Sequence, residues 1–315
     1  MSSLTLVDKQ RILHNRISDH ERLAVAYSGG VDSTLLLAVA ARILKGNAVA
    51  VTAVSPLQPT SEVQSAFKIA RSLGVKHYRV DTREMTHDEF VSNSRDRCYV
   101  CKRIIFSDIL KTLEKMGVTS VAHAANMDDL KDFRPGLKAA EELAVLSPLI
   151  DAEMTKADIR ELSRQMGLPT WNKPSAACLA SRIPYGTPIT EDALGKIEAA
   201  ENVLKSLGFK GFRVRHHGET AKIELRPADF SRLMSPERRL VVVSEFRRIG
   251  YAYITLDLEG YTQGALNRLI GSPEVSPPVS AWLGKHVNRS NDQNVDDNPM
   301  EGEYDRNPDD GRVAD

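Results

Sequence analysis

The stretch Ser28-Gly29-Gly30-Val31-Asp32-Ser33 has the residue types of a phosphate site. Two glycines allow a tight turn in which successive N–H groups point inward as an anion nest. Ser28, Ser33 and Thr34 supply hydroxyl donors, and Asp32 is an acid where a nucleotide's Mg2+ would sit. The flanks agree with this. Leu23 to Tyr27 is a short apolar run of strand length, and Thr34 to Leu44 reads as a buried helix whose N-terminal dipole adds to the same spot. The Gly-Lys-Ser/Thr ending of a Walker loop is missing, and no G-x-G-x-x-G follows the strand. An ordinary Ser-Gly-Gly turn with a capping Asp is the bland alternative, disfavoured by the position between strand and helix.

The second group is the three cysteines. Cys98 and Cys101 lie in Arg97-Cys98-Tyr99-Val100-Cys101-Lys102, at the start of a helix running to Met116, and Cys178 lies in a later loop. Thiols at i and i+3 share a helix face, and the helix N-terminus with Arg97, Lys102 and Arg103 is expected to lower their pKa. A C-x-x-C pair alone serves redox, zinc and iron-sulfur sites alike. With one distant Cys and no obvious His as fourth ligand, the set suits an iron-sulfur cluster with three thiolates and one open iron better than structural zinc, which wants four protein ligands. Three unrelated buried thiols remain the alternative.

Two further sets stand out. Arg213 and Arg215 fall on one face of a strand, where two guanidiniums would clamp a phosphate; a solvated strand face is the other reading. His216 and His217 are adjacent on that strand and point to opposite faces, which argues against joint metal ligation. Asn126, Asp128 and Asp129 directly follow a strand and would bind a ribose, an amide or Mg2+, or else cap a helix.

The elements that must position these groups alternate. A leading helix spans Asp8 to His20, and strands fall at Leu23–Tyr27, Ala48–Val54, Lys76–Asp81 and Ser120–Ala124, with helices between them. That order predicts a parallel sheet with helices on both faces and a ligand site at the strands' carboxyl ends, near Ser28, Ser55, Asp81 and Asn126. Asp132 to Gly136 reads as a turn, 137–143 as a short helix, and Ser147 to Asp151 as an apolar connector. Thr155 opens a capping-box helix to Met166. The segment from Trp171 to Gly186 has no periodicity and is long for an inert linker. Beyond it, a helix from Thr190, strands at Phe212–Arg215 and Ala221–Leu225, a helix over Pro236–Ile249 and a strand at Tyr253–Leu258 predict a small α/β domain.

Composition sets the bounds. The chain is 315 residues, about two domains' worth, with zero formal net charge. His286 to Asp315 holds nine acids against three Arg, so it reads as a disordered acidic tail, and no clustered basic stripe points to nucleic acid. The opening residues lack a secretion signal and no apolar run reaches membrane-spanning length. With three cysteines, an odd count that argues against a disulfide framework, the expectation is a reducing, cytoplasmic setting without membrane partners.

The hexapeptide resembles the PP-loop of the ATP pyrophosphatases, which cleave ATP between its α- and β-phosphates. Pro148-Leu-Ile-Asp, a helix, then Gly167-Leu-Pro169 resembles the same segment of PP-loop thiolases. Taken with RCYVCK, NMDDLKDFRPG, PSAACLASRIPYG, FRVRHHGE and TLDLEGY, the chain from about residue 8 to 270 resembles the LarE family. These are ATP-dependent sulfur transferases of nickel-pincer nucleotide biosynthesis. The resemblance implies a PP-loop domain over 1–186, a small α/β substrate or oligomerisation domain over 187–270 and a tail over 271–315. It implies adenylation of a carboxylate of pyridinium-3,5-biscarboxylic acid mononucleotide and replacement of an oxygen by sulfur, in a homo-oligomer fed by hydrosulfide or another sulfur donor. By matching position, Ser28, Gly29, Gly30, Asp32 and Ser33 would hold ATP and Mg2+. Cys178 would handle sulfur, with Ser181 and Arg182 beside it; Arg213 and Arg215 would hold the substrate phosphate, and Glu201 would line the pocket. Ala124-Ala125-Asn126 departs from the Gly-Thr-Asn-like turn expected there. Within the family, a lone cysteine surrenders its own sulfur in one form, and three cysteines hold a 4Fe-4S cluster in the other; Cys98, Cys101 and Cys178 favour the second. A PP-loop tRNA thiolase, a nucleotide-binding regulator without chemistry and glutamine-dependent amidation are the competing readings.

Overall fold

The computed structural model describes residues 4–131, 135–174 and 177–262. The expected acidic tail, part of the turn at Asp132 and two residues of the loop before Cys178 lie outside the described residues. The described residues form one compact unit that contains both sheets.

The first sheet has the order β3-β2-β1-β4, all parallel: β1 Leu23–Ala26, β2 Ala48–Val54, β3 Lys76–Asp81 and β4 Val121–Ala122. Its helices are α1 Leu6–Ser18, α2 Val31–Leu44, α3 Thr60–Ser72, α4 Asp88–Val91, α5 Arg97–Glu114, α6 Gly136–Glu142, α7 Pro148–Asp151 and α8 Lys156–Gln165. Alternation along the strands sends side chains both ways. Leu23, Val25, Ala48 and Ala50 pack against α1, α2, α3 and α8 on one face. Ala24, Val49 and Val51 pack against α5 and α6 on the other. Both faces are covered, as the alternating order predicts.

β4 is only two residues long, shorter than Ser120 to Ala124. Its pairing passes to Leu146, whose N–H donates to Val121 C=O at 2.8 Å and whose C=O accepts from His123 N–H at 2.8 Å. The connector at Ser147 is in part the short helix α7, with Pro148 at its first turn, where a missing N–H costs nothing. Neither Ala124 nor Ala125 has a positive φ, so the turn has no need of glycine.

The second sheet joins β5 Arg213–His217 antiparallel to β6 Thr220–Glu224, and β6 parallel to β7 Tyr253–Leu256. The helix α9 Glu191–Ser206, the short α10 Phe230–Leu233 and α11 Pro236–Ile249 accompany it. α9 serves two cores. Leu194 and Ile197 near its start join Val100 and Ile104 of α5 and Leu179 of the cysteine loop. Ala200 and Leu204 in its second half join Val214, Ile223 and Phe246. Full burial of each large aliphatic side chain contributes about 1.5–3 kcal/mol, so one helix couples the cysteine region to the second sheet.

Candidate active site

The nest forms because Gly29 takes φ +70°, a backbone state that disfavours any side chain. A Cβ at Gly29 would stand 2.8 Å from the Ala66 Cβ on α3, so glycine is required twice over. Gly30 is the N-cap of α2 and provides no side-chain cap, which leaves the first N–H groups of the helix open to an anion. The two serines brace the loop: Ser28 Oγ lies 3.1 Å from Ser33 Oγ, and Ser33 Oγ accepts from Ser28 N–H at 3.3 Å.

Asp32 stands in the first turn of α2 and pairs through Oδ2 with Lys156 Nζ at 2.5 Å. Its Oδ1 is buried and accepts no hydrogen bond. A carboxylate oxygen withheld from water without a donor is costly, and a divalent cation is the complement it lacks. The residues present therefore fit Mg2+. Lys156 itself is the first residue of α8, and its backbone N–H donates to Asp128 Oδ2 at 2.7 Å. Asn126 Oδ1 accepts from Asp128 N–H, and Asp129 Oδ2 accepts from Asn126 N–H, both at 3.0 Å. Asp128 Oδ1 also pairs with Lys131 Nζ at 3.1 Å. These backbone bonds of Asn126, Asp128 and Asp129 are of capping type, and the one to Lys156 fixes the lysine that meets Asp32.

The loop after α8 reaches back over the nest. Lys173 Nζ donates to Gly29 C=O at 3.0 Å and pairs with Glu62 of α3 at 2.7 Å. Arg160 of α8 donates to the carbonyls of Trp171 and Lys173 at 2.8 and 3.1 Å. Further on, this segment carries Cys178 to α5. Leu179 N–H donates to Leu57 C=O at 2.8 Å, and Arg97, buried beside Cys98, donates to Ala180 C=O at 3.0 Å. Asn93 binds the same segment, its amide donating to the Pro184 and Thr187 carbonyls at 2.8 Å each.

The three thiols therefore come together, with Cys101 and Cys178 packed against one apolar cluster. The expected lowering of thiol pKa is overturned. Desolvation pushes Cys101 up, and Cys98 as well although its side chain reaches the surface; the charge Cys178 would carry when ionised raises both further, and Arg97 and Lys102 oppose this only in part. Desolvation and like-charge repulsion outweigh the helix dipole. Glu84, fully buried with Oε2 lacking a partner, adds to the repulsion at Cys101, and burial raises its own pKa. Among the described residues no three His, Cys, Asp or Glu side chains meet closely enough to hold a single ion. In a 4Fe-4S cluster each thiolate holds a different iron and the ligands stand farther apart. Three neighbouring thiols that would repel one another once ionised, without a fourth protein ligand, are a donor set whose thiolate charge a cationic cluster would offset.

Arg182 holds the Cys178 turn. Its guanidinium binds Glu201 through two parallel bonds of 2.9 and 3.0 Å, while Nη1 donates to the Ala177 and Cys178 carbonyls at 2.8 and 2.9 Å. Ser181 Oγ donates to Cys178 C=O at 2.7 Å. Arg215 is likewise committed, to Glu224 at 2.9 and 2.8 Å and to Ser181 C=O at 2.8 Å. Arg213 pairs with no carboxylate among the described residues. Its pKa is lowered, by burial first and then by Arg182. His216 bonds Tyr251 OH at 3.2 Å, in keeping with separate roles for the two histidines.

Two constellations result. Ser28, Gly29, Gly30, Asp32 and Ser33 form the nest, with Asn126 and Asp128 behind Lys156. Cys98, Cys101, Cys178, Ser181, Arg182, Glu201, Arg213 and Arg215 form a chain of contacts across α5, the cysteine loop, α9 and β5. Sequence reasoning missed Lys156, Lys173, Glu84, Asn93 and the latch role of Arg97. Only Lys156 carried a local signal, as the residue after a capping Thr.

A parallel sheet with an anion nest between β1 and α2, an acid with one unpartnered oxygen on the first helical turn and a thiol set define a PP-loop enzyme that uses ATP. The Asparagine synthase family model matches residues 10–113. The chain is 36% identical to the pyridinium-3,5-bisthiocarboxylic acid mononucleotide synthase of Lactiplantibacillus plantarum, over 84% of this chain and 95% of that protein. It is 39% identical to the uncharacterised protein slr1717 of Synechocystis, over 84% and 99%. A tRNA-specific 2-thiouridylase of Xanthobacter autotrophicus is 30% identical over 49% of each chain. The chain belongs to the LarE family of PP-loop, ATP-dependent sulfurtransferases. No helix among the described residues is long and apolar enough to cross a membrane.

Proposed function

We propose that this chain adenylates a carboxylate of pyridinium-3,5-biscarboxylic acid mononucleotide and converts it to a thiocarboxylate for a nickel-pincer cofactor. The observation that carries the reading is reach: the synthase match spans 84% of the chain, second sheet included, while the thiouridylase match spans 49%. The ATP phosphates lie against Ser28, Gly29, Gly30 and Ser33, and Asp32 Oδ1 takes the Mg2+. A substrate carboxylate oxygen attacks the α-phosphorus and pyrophosphate leaves. Sulfur then attacks the acyl carbon and AMP leaves with the displaced oxygen. Arg182 and Ser181 fix the backbone of Cys178, Glu201 holds Arg182, and Arg213 with the committed Arg215 faces the substrate phosphate. Cys98, Cys101 and Cys178 would hold a 4Fe-4S cluster that supplies an open iron position for hydrosulfide. Sacrifice of the Cys178 sulfur is the other route, and it leaves Cys98 and Cys101 without a task. We place residues 1–186 on ATP and sulfur, and 187–270 on substrate and homo-oligomer contacts, in the cytoplasm.

The test is the product pair. Mg-ATP with the pyridinium substrate is expected to yield AMP and pyrophosphate, and Asp32→Ala is expected to abolish both. ADP and phosphate would refute the reading, and salt-sensitive retention on tRNA would favour a thiolase.

A further inference from the structure

Three guanidiniums converge where the cysteine loop meets the second sheet. Arg182 and Arg215 both bond Ser181, and Arg182 is close enough to Arg213 to lower its pKa. The two carboxylates at hand, Glu201 and Glu224, are each taken by two parallel bonds, to Arg182 and to Arg215. Arg213 keeps one bond, to the neighbouring Phe212 C=O at 2.7 Å, and lies over the ring of Tyr261 at 4.9 Å from its centroid. An aromatic face contributes about 0.5–2 kcal/mol to a cation but leaves its charge uncancelled. An aromatic ring offers no lone pairs to the fork of N–H donors, so those Arg213 does not give to Phe212 C=O stay open; a carboxylate partner would consume them.

The place of Tyr261 is built. Gly260 takes φ +77°, and a Cβ there would stand 2.5 Å from Leu225 O and 3.1 Å from Pro227 Cδ. Its N–H donates to Asp257 C=O at 3.1 Å, and Tyr261 N–H donates to Leu225 C=O at 2.8 Å. A turn that only glycine can occupy therefore presses the tyrosine against the end of β6, and the adenylation and sulfur chemistry give this tyrosine no task.

We propose that Tyr261 is a positioning residue whose ring face holds the unpaired Arg213 edge-on to the substrate phosphate, and so selects a mononucleotide over the matching nucleoside. A free arginine side chain loses about 2 kcal/mol of rotamer entropy when fixed, and the ring meets that loss before substrate arrives. The inference rests on the proposed mononucleotide substrate and is separable from it by binding alone.

The experiment is calorimetric titration of the full chain with a pyridinium-carboxylate mononucleotide and with its phosphate-free nucleoside. Wild type is expected to prefer the mononucleotide at least tenfold. Arg213→Ala and Tyr261→Ala are each expected to lose about tenfold of that preference, with nucleoside and ATP affinity unchanged and a cooperative melt retained. Tyr261→Phe is expected to keep it within threefold, and the double variant to be no worse than Arg213→Ala. Retained preference in Tyr261→Ala, losses that add in the double variant, or no preference in wild type would each overturn the proposal. The expected preferences without any AMP formation in wild type would instead refute the proposed reaction and leave Tyr261 in place.

Discussion

At Asp32 one carboxylate oxygen is neutralised by Lys156 and the other is buried without a donor. The first arrangement explains why the acid is tolerated without metal, and the second why it has a use for one. The Asp32–Lys156 pair is a quarter to a third exposed on each side, so its loss is expected to cost no more than about 1 kcal/mol of stability. Asp32→Ala should therefore abolish pyrophosphate release while the urea midpoint hardly moves; a collapsed midpoint would mean that the acid is chiefly structural. The two arginines of β5 separate in the same way. Arg215→Ala strips Glu224, 3% exposed, of its two close bonds and leaves it only Lys222 at 3.8 Å, and a broken buried pair costs about 3–5 kcal/mol. Arg213→Ala leaves no carboxylate stranded and is expected to unfold like wild type. Chemical denaturation of both variants checks this, and equal destabilisation would contradict the pairing described.

Elements show why some of the molecule could be read from its sequence and some could not. β2 and α11 fall where expected, because a β-branched run and a Pro-to-Gly helix carry their ends in local residues, and β3 does too, its start marked by the Gly74 that closes α3. β4 shrank to two residues because its length is set by partners, Ala24 and Val25 on one side and Leu146 on the other. The PP-loop was legible for the same local reason as β2. Gly29→Ala tests that reading: a left-handed conformation costs about 1–2 kcal/mol for a residue with Cβ, and the clash with Ala66 adds to it. ATP binding is expected to be lost, with a lower urea midpoint; a variant that binds ATP like wild type would show that the nest is not the phosphate site. The latch of Asn93 and Arg97 onto residues 180–187 spans some ninety residues of sequence and follows no period, so it was invisible. The thiol pKa values were misjudged because helix position is local, whereas the burial that outweighs it is tertiary.

At the scale of the whole molecule, α9 joins the cysteine region to the second sheet, and acid should loosen the first sheet on both faces. His77, stacked on Phe67, and His123, against Phe106, are each lowered to about 4 by burial. A histidine lowered in the folded state lends full stability above its unfolded pKa of about 6.5 and loses it as pH falls toward 4. The urea midpoint is therefore expected to fall steadily between about pH 6.5 and 4; a flat profile there would contradict the buried neutral rings. The central claim is that Cys98, Cys101 and Cys178 act together and survive the reaction. It is tested most directly by the intact mass of the anaerobically reconstituted protein, recorded before and after turnover with Mg-ATP, substrate and sulfide. The account predicts an unchanged polypeptide mass while more than one thiocarboxylate forms per chain. A polypeptide lighter by H2S at Cys178, with product stopping at one per chain, would contradict it.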